Sequence, residues 1–185
     1  MSRRPPGVLR VIGGAWRSRR VVFADLPELR PTPDRVRQIL FDWLTPIVHG
    51  SRCLDAFAGS GLLGIEALSR GAATVVFVER AEAAAAAIRQ ALAALDAQAP
   101  AQVLCTDALA HLQQPGPAYD VVFLDPPYRS DLLAAALPAA AARLAPHGRL
   151  YLEWRGAAPA LPQGFALVRE KRAGRVSFGL AAHAA

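Results

Sequence analysis

From about residue 52 to residue 153 the chain alternates short apolar runs with longer stretches of helical spacing. The runs at about 52–57, 74–79, 101–105, 120–125 and 149–153 are rich in Val, Leu, Phe and Cys and read as buried strands. The stretches at about 61–70, 81–96, 107–113 and 131–144 read as helices. This βαβαβαβαβ order predicts a parallel sheet with helices on both faces. Two more β-prone runs, near 165–171 and 175–181, are joined around Gly174, and so short a link predicts an antiparallel pair at the sheet edge. Upstream, residues 8–23 carry β-prone runs around Gly13-Gly14, which predicts a small hairpin or an extended arm. Val36, Ile39, Leu40, Trp43, Leu44 and Ile47 then follow helical spacing, with Thr32 or Asp34 as the expected cap. No repeat or linker divides the chain. The expected organisation is a basic arm and helix over 1–48, packed on a single α/β domain over 49–185.

Charge adds a direction to this frame. The net charge of +6 is not spread evenly: residues 1–37 hold nine basic and three acidic side chains, and residues 38–185 hold twelve of each. A basic segment on a neutral body points to a polyanionic partner. Arg10, Arg17, Arg19 and Arg20 are the candidates for phosphate contact, and Trp16 is a candidate for stacking on an unpaired base. The competing reading has Trp16 packed on the core and the arginines solvated. Arg169, Lys171, Arg172 and Arg175 either extend the basic surface or decorate an exposed hairpin. Cys53 and Cys105 fall in expected strands without metal-ligand spacing and read as buried apolar residues, in keeping with a reducing cytoplasm. The four histidines are scattered, and no metal site is expected. The opening Met-Ser-Arg-Arg-Pro-Pro-Gly lacks the apolar region of a signal peptide, and Pro138 and Arg143 interrupt the one long apolar stretch. A cytoplasmic monomer is the expectation.

Two segments carry candidate chemistry. In Leu54-Asp55-Ala56-Phe57-Ala58-Gly59-Ser60-Gly61-Leu62-Leu63-Gly64 the first strand turns into the first helix through glycines, which let backbone N–H groups approach a ligand. Glu79 ends the second strand, where a carboxylate accepts hydrogen bonds from ribose hydroxyls, and Asp107 follows the third, near an adenine edge. The run GSGLLG also fits a dinucleotide loop. Asp55 argues against a nearby pyrophosphate and for a cationic methionine moiety, that is, S-adenosylmethionine. The second segment, Asp125-Pro126-Pro127-Tyr128, follows the strand Tyr119–Leu124. The Asp125 carboxylate and the Pro126 carbonyl are two acceptors for the hydrogens of an exocyclic amine. Pro127 stiffens the turn, and Tyr128 is placed to stack on the base.

The runs RVIGGAWRSRRV (10–21), RPTPDRVRQILFDWL (30–44), DAFAGSGLLGIEALSRGA, VVFVER and FLDPPY (123–128) together resemble the bacterial 16S rRNA guanine-N2 methyltransferase family known as RsmD, in the same order over roughly residues 9–155. The resemblance implies a class I S-adenosylmethionine-dependent methyltransferase fold with a mostly parallel seven-stranded sheet. It implies S-adenosylmethionine bound by Asp55, Phe57, Gly59, Ser60, Gly61, Glu79, Arg80, Asp107 and Ala108, and methyl transfer to guanine 966 of 16S rRNA within assembled subunit particles. It also implies that Arg30, Thr32 and Arg35 lie near the cofactor or RNA entrance. The Pro/Ala-rich stretch 156–163 departs from the family where a helix is expected. Glu66 and Glu153 read as structural, on a helix face and at a strand end. Other readings stay open on the residues alone. The tetrad also suits adenine-N6 or cytosine-N4 DNA methyltransferases, although little length is left for a target-recognition domain. A Rossmann oxidoreductase leaves Asp55 and the tetrad unexplained. A non-catalytic assembly factor leaves the intact Asp125 and glycine loop without purpose.

Overall fold

The structure is a computed structural model that describes residues 7–23, 32–97, 100–127 and 131–184. The arm forms a two-stranded antiparallel ribbon, β1 (Gly7–Arg10) and β2 (Arg20–Phe23), with Val8 opposite Val22 and Arg10 opposite Arg20. Helix α1 (Asp34–Val48) follows and buries Val36, Leu40, Phe41, Leu44 and Val48 along one stripe. Neither expected cap is used: Pro33 occupies the cap position without a side-chain bond. The Thr32 hydroxyl instead goes to a distant partner, Asp125, and Asp34 pairs with Arg37 one turn further along the same helix.

The main sheet interleaves β3 (Arg52–Asp55), α2 (Leu62–Ser69), β4 (Thr74–Glu79), α3 (Glu82–Ala94), β5 (Ala101–Cys105), α4 (Ala108–Gln113), β6 (Tyr119–Leu124), α5 (Leu132–Ala142), β7 (Leu144–Trp154), β8 (Phe165–Ala173) and β9 (Val176–His183). Its order is β5-β4-β3-β6-β7-β9-β8. Pairing is parallel from β5 to β7 and antiparallel where β9 joins β7 and β8. The expected parallel sheet with an antiparallel edge hairpin is therefore what forms. Strand residues alternate between two cores. Cys53, Val121 and Phe123 face α1, α2, α3 and the arm, whereas Leu54, Val122 and Leu124 face α4 and α5. Such double-sided burial explains why these strands read as continuous apolar runs.

The differences from expectation have local causes. β3 stops at Asp55, because residues 56–60 already turn toward the glycine loop. β7 starts at Leu144 rather than 149, with an irregular register against β6 between Tyr119 and Val121. Cys53 is buried, but Cys105 is exposed, because it ends the outermost strand β5, which has no neighbour on its far side. Residues 155–164 form no helix, so β7 and β8 are joined by irregular chain.

Gly64 shows how tightly the layers approach. A Cβ there would lie 2.2 Å from Cε1 of Phe77 on β4, so only glycine lets α2 sit this close to the sheet.

Candidate active site

The chain leaves β3 to build β4 and β5 on one side, then returns to place β6 on the other. The crevice opens at this reversal, beyond the carboxyl ends of the strands. Four adjacent strands each carry a carboxylate there: Glu79 ends β4, Asp55 ends β3, Asp125 follows β6, and Glu153 lies one residue from the end of β7. The β6–β7 register pairs Leu124 with Leu152, so Asp125 and Glu153 are the next positions along.

Asp55 is almost wholly buried and accepts a hydrogen bond from the Gly64 N–H at 3.0 Å. It thereby caps the first turn of α2 from the neighbouring strand. Burial pushes its carboxyl up to about 7; the Gly64 N–H opposes the rise and the Glu79 charge adds to it. Glu79 shapes the loop, accepting from the Gly59 N–H on one oxygen and from the Ala81 N–H on the other, both at 2.8 Å. Gly59 and Gly61 adopt positive φ of 52° and 73°. Their backbone is thus bare where the loop enters α2. Phe57 is half-buried, Ser60 buried, and Arg80 exposed just beyond β4. Asp107 is exposed and caps α4 through the Ala110 N–H at 2.9 Å, with Ala108 buried behind it.

Asp125 accepts from the Thr32 hydroxyl at 3.3 Å, which joins the start of α1 to the end of β6. Burial raises its carboxyl well above the ordinary range, with Glu153 and then Asp55 adding repulsion and the Thr32 hydroxyl opposing. Glu153 is buried and accepts from the Tyr151 hydroxyl at 2.5 Å. Pro126 is buried and Pro127 exposed. Tyr128 and Arg30 lie outside the described residues. Among the described residues no group of three or more His, Cys, Asp or Glu is arranged around a metal position.

The arm lies against α2. Ala15 N–H donates to the Ser69 carbonyl at 2.7 Å, Trp16 N–H to the Ser69 hydroxyl at 2.9 Å, and that hydroxyl to the Gly13 carbonyl at 2.6 Å. Trp16 packs against the core while remaining partly accessible. Arg10, Arg17, Arg19 and Arg20 are exposed, and Arg19 donates to the Ala94 carbonyl at 2.8 Å. Arg35 is exposed on the first turn of α1.

Sequence reasoning missed the clamp beneath the arm. Arg37 is completely buried, with Asp34 at 2.5 Å, the Glu66 carboxylate at 3.3 Å and the Arg10 carbonyl at 3.0 Å. Glu66 also takes the Ile12 N–H at 2.9 Å and Arg70 at 3.0 Å. The signal was present: Arg37 falls on the Phe41, Leu44, Val48 stripe, and Glu66 is the one charge in the apolar helix LLGIEALS.

The donor set fits S-adenosylmethionine. The buried, incompletely compensated Asp55 complements a cationic methionine moiety. Each Glu79 oxygen takes one backbone N–H and keeps lone-pair capacity for a ribose hydroxyl.

The family described as Conserved hypothetical protein 95 matches residues 9–182. Ribosomal RNA small subunit methyltransferase D of Escherichia coli is 42% identical over 178 residues, 94% of this chain and 89% of that protein. Its namesake in Haemophilus influenzae is 41% identical over 180 residues, covering 94% and 93%. The solved yhhF structure of Escherichia coli superposes with a TM-score of 0.87 at 40% identity, over 96% of this chain and 98% of that one. A 16S rRNA N2 methyltransferase of Thermus thermophilus, solved with AdoMet and guanosine, superposes with a TM-score of 0.69 at 22% identity, over 97% of this chain and 50% of that one. That last likeness speaks to the fold, which is the class I S-adenosylmethionine-dependent methyltransferase fold. With the family match running from the arm to the final strand, the chain belongs to the Conserved hypothetical protein 95 family, the RsmD family of small-subunit ribosomal RNA methyltransferases.

Proposed function

We propose that this protein methylates the exocyclic N2 amine of a guanine in 16S rRNA of the small ribosomal subunit, in the cytoplasm, with S-adenosylmethionine as donor. The observation that carries the reading is the row Glu79, Asp55, Asp125 and Glu153 at the crest of four adjacent strands, with Pro126 next to Asp125. Asp55, Glu79 and the Gly59–Gly61 backbone hold the donor. Phe57, Ser60, Arg80, Asp107 and Ala108 complete its surroundings. The bound donor supplies an electrophilic methyl group on a sulfonium.

Asp125 and Pro126 act on the acceptor. An aromatic amine is a poor nucleophile because its lone pair is delocalised into the ring. The Asp125 carboxylate and the Pro126 carbonyl accept its two hydrogens and hold it pyramidal, which frees the lone pair. Tyr128 stacks on the base. Thr32 fixes the Asp125 carboxylate through Oδ2. As the amine bonds to carbon it gains positive charge, and the Asp125 carboxylate stabilises that charge in a poorly solvated site. The proton is then released to Asp125 or to solvent. Arg10, Trp16, Arg17, Arg19, Arg20, Arg30 and Arg35 position the RNA around this centre.

The test is transfer of labelled methyl to small subunits from a strain lacking the activity, followed by nucleoside analysis. Label in N2-methylguanosine is expected. Label in N6-methyladenosine, in DNA, or nowhere sinks the assignment.

A further inference from the structure

On the far side of α1 from the arm, the tip of the β8–β9 hairpin approaches the first turns of the helix and encloses a notch of about 390 Å³. Arg35 contributes one wall and Lys171 and Arg172 the other; Val36, Ile39 and Phe178 supply an apolar floor. The two walls lie more than a hundred residues apart in sequence. All three cations are exposed, and no ion pair among the described residues neutralises them. The notch is also close to the chemistry. Arg35 stands three residues from Thr32, whose hydroxyl reaches Asp125. The opposite side of the same helix start belongs to the arm, where Arg10 lies 3.8 Å from Asp34.

We propose that this notch is a second RNA-binding site, taking the phosphates of single-stranded RNA that flanks the target base on the side away from the arm. The proposal rests on RNA being the substrate. Its chemistry is specific: three uncompensated cations in a concavity suit backbone phosphates, and the apolar floor accepts the edge of a base or sugar. The arm and the hairpin then grip the strand on both sides of Asp125, so the target base is presented between two anchored stretches of backbone.

The test uses the full chain and a fluorescently labelled, mixed-sequence single-stranded RNA, titrated at several salt concentrations. The variants are Lys171→Gln with Arg172→Gln, and separately Arg35→Gln. Calorimetric binding of S-adenosylmethionine, expected to equal wild type in the hairpin variant, and an unchanged circular dichroism spectrum in both variants verify the fold. Loss of two phosphate contacts lowers the slope of log K against log salt by about 1.4, and loss of one by about 0.7. An unchanged slope in the Lys171→Gln, Arg172→Gln variant overturns the proposal whatever Arg35→Gln does, since Arg35 already belongs to the proposed RNA surface. So does weakened binding to assembled subunits with naked RNA unaffected, since the partner at the notch would then be a protein. A wild-type protein that binds this RNA with the expected slopes, but transfers no methyl to guanine, leaves the notch standing and removes the proposed activity.

Discussion

Replacing Glu66 by Gln tests whether the arm is held by charge or by shape. Glu66 is fully buried and serves three donors: the Ile12 N–H at 2.9 Å, Arg37 at 3.3 Å and Arg70 at 3.0 Å. Glutamine retains the volume but offers one acceptor oxygen. Turned toward Ile12 and Arg37, that oxygen leaves its NH2 facing the Arg70 guanidinium, donor against donor. The larger loss is the charge. Arg37 is wholly buried, its Nε already lacks a partner, and its remaining carboxylate, Asp34, is half-exposed. Removing one partner of a buried pair costs about 3–5 kcal/mol. Asp34 still accompanies Arg37, and Arg70 can turn to solvent, so the low end applies. For a chain of this size about 3 kcal/mol lowers Tm by roughly 6–12 °C. Thermal unfolding at neutral pH measures it. A cycle with Arg37→Met separates the causes: with the arginine gone, Glu66→Gln should cost clearly less than in the wild type. A Tm within about 2 °C of wild type, or an additive cycle, would refute the buried-charge account.

Four further outcomes follow from the site. Asp125→Asn should abolish methyl transfer while S-adenosylmethionine still binds by calorimetry; loss of both in a folded protein contradicts its role at the amine. The raised Asp55 carboxyl makes the folded protein hold that proton more tightly than the unfolded chain does. Its stabilising contribution, about 4 kcal/mol at most, is full below about pH 4 and disappears as pH rises through about 7; Asp55→Asn should flatten the Tm profile over that window. Gly64→Ala drives a methyl group into Phe77 and should cost roughly 1–3 kcal/mol or more, read as a lower urea midpoint. Changing Arg17, Arg19 and Arg20 to Gln should weaken RNA binding and reduce its salt slope, and an unchanged slope makes the arm purely structural.

The parallel order and the glycine loop were legible because each rests on contiguous residues. Runs such as Tyr119–Leu124 announce a strand buried on both faces, and positive φ at Gly59 and Gly61 is what a turn into a helix demands. Thr32 illustrates what was not legible. As a cap it had a local explanation, yet its hydroxyl goes to Asp125, 93 residues away. Cys105 misled for a related reason: an apolar run does not say which strand will be outermost. Asp107 caps α4 through one carboxylate oxygen, a local role that the run of apolar residues after it does not announce. The arm was legible in charge but not in attachment. Its anchors Ser69, Glu66 and Arg37 lie on helices that periodicity alone treats as ordinary packing.

The acids of the crest act on one another across the strands: Glu79 on Asp55, and Glu153 and Asp55 on Asp125. Asp55 and Asp125 each resist ionisation, mainly because burial strips their solvation, and each feels a neighbouring carboxylate on the next strand. Such a row is unfavourable for folding alone, since every proton lost adds repulsion in a medium that screens poorly. A cationic methyl donor held at Asp55, as proposed above, would reverse the sign there, and donor binding should therefore release a proton and tighten as pH rises through 7. On the proposed reaction, methyl transfer would carry positive charge from the donor held at Asp55 to the amine held at Asp125. The negative field is present before and after the step, so little reorganisation is needed as the charge crosses. Once the amine gave up its proton, both products would be neutral at the reacting atoms, and the acids would no longer hold a cation in the crevice.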